Sequence, residues 1–181
     1  MTKNLENIRT LTNAERIDRQ EDKSIQDFTD FINGVTGKKI IVVPTPAKSH
    51  SDVKYYSEKL NRYVYVEIKE RKCEYDKYPT IILNANKIQD LPHSKGDTKE
   101  NWKCADFFYI GYEGRYAVVI SRANIDNLLK DKGTNAFCIN TVKKTQYNYN
   151  DEYINQLQLS IPVDDKTGRY YHLYYETNQQ Y

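Results

Sequence analysis

The chain reads as one α+β domain with a mixed sheet at its centre. Three observations predict it: an amphipathic helical pattern at the start, several short β-prone runs separated by turn residues, and a second capped helix among the later strands. A length of 181 residues fits a single domain spanning 1–181. It divides into a core over residues 12–120 and a β-rich C-terminal extension over residues 121–181.

The first helix has the clearest signature. Thr12 and Glu15 form a capping-box pattern, and Ile17, Ile25, Phe28 and Ile32 recur at helical spacing until Gly34 or Gly37 ends the run. Glu21 stands four residues from both Ile17 and Ile25, on the inward stripe. A carboxylate there needs a partner or a metal ion to offset its desolvation, unless it sits at the stripe's margin and reaches water.

The strands follow. Residues 39–43 form a short apolar run closed by Pro44 and Pro46. Residues 52–71 read as two strands joined by a turn around residues 58–61, with Tyr63, Val64, Tyr65 and Val66 strongly β-prone. A short strand over residues 80–83 comes next, and Asn84 is positioned to cap a short helix reaching about Leu91. Residues 92–101 form a polar loop. The runs 107–110 and 116–120 flank Glu113-Gly114 as a hairpin. Ser121 caps a helix with Ile125, Leu128 and Leu129 on its apolar side and Gly133 beyond its end. Residues 136–142, 156–163 and 169–175 are further strands, and residues 143–151 form a loop.

Composition narrows the function classes. Hydrophobic residues at 39% and charged residues at 29% fit a folded chain. No apolar run approaches the roughly 20 residues needed to cross a bilayer, and the polar N-terminus carries no signal-peptide pattern. No membrane association and a cytoplasmic setting are expected. Cys73, Cys104 and Cys138 are odd in number and widely spaced, which argues against a disulfide framework or a zinc knuckle. His50, His93 and His172 are equally scattered, so a bound metal must be held by carboxylates. The net charge of +2 decides nothing about nucleic acid, because a basic face can hide in a near-neutral total. The 17 tyrosines suit base stacking or packing equally.

The informative constellation is Asp52…Glu67-Ile68-Lys69. Residues two apart in a strand share a face, so Glu67 and Lys69 point together while Ile68 faces a core. A turn centred near Leu60 sets Asp52 opposite residue 68 and next to Glu67. Two carboxylates and an ammonium then converge, a set suited to Mg²⁺, which takes one or two carboxylates and completes its shell with water and phosphate. The lysine can orient the attacking water or neutralise transition-state charge. Glu21 supplies an outer carboxylate if it faces the same cleft. Lys69, Arg71, Lys72 and Lys77 form a basic run able to track a phosphate backbone, interleaved with Glu70, Glu74 and Asp76 as on a solvated mixed-charge surface.

An acid-bearing helix followed by Asp, a turn and Glu-X-Lys on a strand resembles the PD-(D/E)XK nuclease superfamily. The run Val66-Glu67-Ile68-Lys69-Glu70-Arg71, with Tyr78-Pro79-Thr80-Ile81-Ile82 and Lys87, is similar to small phage-type members. Ser51 stands where the motif has Pro, and residues after about Ile120 have no counterpart. The resemblance implies a restriction-endonuclease-like αβββαβ core, Asp52 and Glu67 as metal ligands, Lys69 as the catalytic lysine, and Arg71 and Lys87 as phosphate contacts. It implies a Mg²⁺- or Mn²⁺-dependent endonuclease that hydrolyses DNA with water as nucleophile. DNA is the expected partner, and self-association as a homodimer stays open. The alternative is the same scaffold without catalysis, serving as a structural subunit (of a phage assembly, for example) or as a DNA-binding module.

Overall fold

The computed structural model describes residues 13–46, 49–88, 104–113, 116–143, 153–165 and 167–175. Among them it builds two helices, a six-stranded mixed sheet and a three-stranded antiparallel sheet, an α+β architecture. Thr12, Trp102 and the loops over 92–101 and 144–151 lie outside the described residues.

Helix α1 (Asn13–Thr36) follows its apolar stripe: Phe28, Phe31 and Ile32 are buried. It ends at Gly37, whose φ of 64° lets its N–H reach the carbonyl of Asn33 at 2.9 Å. The strands are β1 (Val42–Pro44), β2 (Val53–Ser57), β3 (Arg62–Arg71), β4 (Thr80–Asn84), β5 (Phe107–Tyr112), β6 (Tyr116–Ser121), β7 (Phe137–Lys143), β8 (Tyr153–Pro162) and β9 (His172–Tyr175). The large sheet runs β1-β2-β3-β5-β6-β9, and only its β3–β5 pair is parallel. The small sheet runs β4-β8-β7. Among the described residues no helix is long and apolar enough to cross a membrane.

Alternation along the strands gives the large sheet two covered faces. One face, with Val53, Val64, Val66, Tyr109 and Ala117, packs on Phe28, Phe31 and Ile32 of α1. The other, with Phe108, Ile110, Val118 and Ile120, packs against Ile81 and Leu83 of β4 and Leu159 and Ile161 of β8. Helix α2 (Arg122–Lys132) closes this second core with Ile125 and Leu128. Its start is a capping box: Ser121 Oγ accepts from the Asn124 N–H at 3.2 Å, and Asn124 Oδ1 accepts from the Ser121 N–H at 3.0 Å.

The element after β4 departs from the sequence expectation. The short helix after Asn84 is a 3₁₀ turn, Ala85–Lys87. Asn84 does not cap it; its Oδ1 instead faces Gln158 Nε2 at 3.4 Å, because β8 runs alongside. The helix between the third strand and the parallel strand is therefore not found among the described residues, and α2 comes after β6. The C-terminal segment is interleaved with the rest: β9 pairs with β6, and β8 pairs with β4.

Candidate metal centre where the two sheets meet

The site begins with a turn. Residues 58–61 close the β2–β3 hairpin, with Asn61 at a φ of 50° and its N–H directed at the carbonyl of Glu58 at 3.3 Å. Ser57 thus pairs with Arg62 and Val53 with Val66. Past Val53 the paired register ends, and the Asp52 N–H donates to the Val66 carbonyl at 2.9 Å, which sets Asp52 beside Glu67. Glu67 and Lys69 share a face of β3, and the charges of Glu67, Lys87 and Lys69 all act on Asp52.

Asp52 is fixed from several directions. Its Oδ2 accepts the Ile68 N–H at 2.7 Å, and its own carbonyl accepts the Thr45 N–H at 2.9 Å. The preceding Ser49, His50 and Ser51 are all buried, and Thr45 Oγ1 donates to the Ser51 carbonyl. His50 Nδ1 lies 3.9 Å from the buried Cys104 Sγ, so a histidine and a cysteine scattered in sequence meet behind the site. The sequence offered no sign of that meeting or of the buried polar loop.

Glu67 is only 4% exposed, an unusual setting for a carboxylate. Two ammonium groups answer its charge. Lys69 Nζ lies 3.5 Å from Oε1, and Lys87 Nζ lies 3.0 Å from Oε2. Lys69 comes from the same strand and Lys87 from the 3₁₀ turn after β4, so the small sheet delivers a cation onto the large one. Burial, reinforced by the charge of Glu67, pushes the Asp52 carboxyl up to about 6. The Ile68 N–H, Lys87 and Lys69 pull in the opposite direction without cancelling it.

The structure thus brings together Asp52, Glu67, Lys69 and Lys87. Arg71 continues the same face of β3 and directs Nη2 at the Ile82 carbonyl at 3.5 Å, another link to the small sheet. Lys72 and Lys77 are exposed on the connection after β3, and Lys77 rests 5.7 Å from the Tyr78 ring centre. Neither is ion-paired to the cluster. Glu21 lies on α1, but its side chain is outside the described residues. The described contacts of α1 are with the opposite face, where Asp27 interacts with Glu70 of β3.

Comparison of the chain with protein-family models, curated proteins and solved structures finds no match.

The donor set fits a hard divalent cation. Asp52 and Glu67 offer neighbouring carboxylates, and Mg²⁺ needs only one or two carboxylates when water and phosphate supply the rest. Among the described residues no group of three or more His, Cys, Asp or Glu side chains is arranged to hold an ion unaided.

Proposed function

We propose that the protein is a Mg²⁺- or Mn²⁺-dependent endonuclease that hydrolyses DNA phosphodiesters, built on a restriction-endonuclease-like core and acting in the cytoplasm. The observation that carries this reading is the cross-strand meeting of Asp52 and Glu67, with Lys69 and Lys87 beside Glu67. Its likeness to the Asp…Glu-X-Lys arrangement of PD-(D/E)XK nucleases supports the assignment. So does the order of a helix, three antiparallel strands and a later strand parallel to the third.

Each side chain has a role. Asp52 and Glu67 supply the ligand oxygens. A bound divalent ion lowers the pKa of water and offsets charge on the phosphoryl oxygens. Lys69 orients the attacking water and neutralises charge developing on the phosphorus oxygens. Asp52 must be ionised to act as a ligand, and burial and Glu67 hold its carboxyl above the usual range in the metal-free protein, so metal binding weakens as pH falls. Arg71, Lys72 and Lys77 follow β3 outward as contacts for the phosphate backbone.

Incubating the pure protein with plasmid DNA and Mg²⁺ or Mn²⁺, with and without chelator, tests the proposal. Metal-dependent cutting is expected, and Glu67→Ala and Lys69→Ala should each lower it by about a hundredfold or more while circular dichroism stays unchanged. Full cutting by both variants would contradict the assignment.

One observation favours the second reading, a scaffold without catalysis: the two lysines already balance the two carboxylates. Ile139 and Leu157, paired across β7–β8, are 70% and 49% exposed and suit a subunit contact. Self-association without cutting or metal binding would favour that reading.

A further inference from the structure

Lys87 holds one carboxylate oxygen of Glu67. Its Nζ is the closer of the two ammonium groups, 3.0 Å from Oε2 against 3.5 Å for Lys69 from Oε1. The two lysines are not equivalent in origin. Lys69 sits two residues from Glu67 on a paired strand, so its backbone moves with the carboxylate. Lys87 reaches in from a three-residue 3₁₀ turn after β4 of the other sheet, while the two side chains are about equally exposed, 19% for Lys87 and 22% for Lys69. A flexible four-carbon stem lets that ammonium exchange one anion for another with no movement of the main chain.

We infer, building on the metal site proposed above, that Lys87 is a displaceable occupant of the ion position, holding Glu67 until a substrate phosphate draws it away. Charge arithmetic supplies the reason. Asp52, Glu67, Lys69 and Lys87 sum to zero when all are ionised. A divalent ion entering alone leaves a net charge of two positive units in a half-buried site, with an ammonium beside the metal, which is costly at low effective dielectric. A phosphodiester lowers that excess and offers the displaced ammonium a new anion. Metal and DNA therefore bind with positive coupling, and the coupling is reciprocal. In the absence of DNA, the site keeps its metal affinity low and hydrolysis of other esters suppressed.

Calorimetric titration with Mn²⁺ tests this on the full-length protein, comparing wild type with Lys87→Met and Lys87→Arg. Lys87→Gln carries the same test if the Met variant fails to fold. Without DNA, Lys87→Met should bind Mn²⁺ about tenfold more tightly than wild type, and Lys87→Arg should stay close to wild type. A hydrolysis-resistant phosphorothioate duplex should tighten Mn²⁺ binding to wild type and have little effect on Lys87→Met. Equal or weaker Mn²⁺ binding by Lys87→Met and Lys87→Gln overturns the inference while leaving the metal site in place. Absence of Mn²⁺ binding in every variant, with Glu67→Gln indistinguishable from wild type, overturns the metal site and the inference together.

Discussion

Replacing Asp52 with Asn should stabilise the protein at neutral and alkaline pH. In the folded chain burial and Glu67 raise the Asp52 carboxyl from 3.8 to about 6. A group that binds its proton more tightly when folded contributes stability that is complete below the unfolded value and lost as pH rises through the folded one. At pH 8 the ionised Asp52 therefore costs the fold roughly 3 kcal/mol, at 1.36 kcal/mol per pH unit. The amide of Asn carries no charge, and its Oδ1 can still accept the Ile68 N–H that Asp52 Oδ2 accepts at 2.7 Å. Asp52→Asn should thus gain up to roughly 3 kcal/mol at pH 8, or about 6–12 °C in melting temperature for a chain of this size. The gain should shrink between pH 6 and 4 and vanish below about 3.8. Urea unfolding followed by circular dichroism, run with chelator across this range, measures it. A variant less stable than wild type at pH 8, or a gain that persists in acid, would refute the reasoning. Stability gained by removing a charge that the proposed chemistry requires is the trade-off expected of a functional site.

Two further substitutions probe how the sheet that carries the site is held. Asp106→Ala removes the acceptor of the Tyr65 N–H at 2.8 Å and of both Arg62 guanidinium nitrogens at 2.8 and 3.0 Å. The Arg62 pair is exposed and counts for little, so the loss of about 2 kcal/mol in urea unfolding comes mainly from the stranded backbone donor, and Asp106→Asn should lose less. Phe108→Ala opens the core between the two sheets at a fully buried position and should cost about 3–5 kcal/mol, measured the same way; a loss below 1 kcal/mol would mean the sheets are not joined there.

Much of the local structure was legible in the sequence. Periodicity and caps marked α1 and α2, because Phe28, Ile32, Ile125 and Leu128 repeat at helical spacing and Ser121 supplies a local hydrogen bond. The face shared by Glu67 and Lys69 follows from strand geometry alone. The hydrogen bonds that hold Asp52, from its N–H to the Val66 carbonyl and from the Ile68 N–H to its Oδ2, did not. Strand partners were equally hidden. Ile81 and Leu83 mark β4 as half-buried, but nothing local says that it pairs with β8, more than 70 residues later, rather than with its neighbours. Lys87 carried a basic charge and a place after a strand, which suggested a phosphate contact. Its ion pair with Glu67 depends on the small sheet folding over the large one, a long-range event with no local signature.

The most direct test is a Mn²⁺-soaked crystal examined by anomalous scattering. The account predicts one Mn²⁺ peak held by the carboxylates of Asp52 and Glu67, with Lys87 withdrawn from Oε2. Carboxylates free of metal at saturating Mn²⁺, with Lys87 still on Glu67, would contradict it.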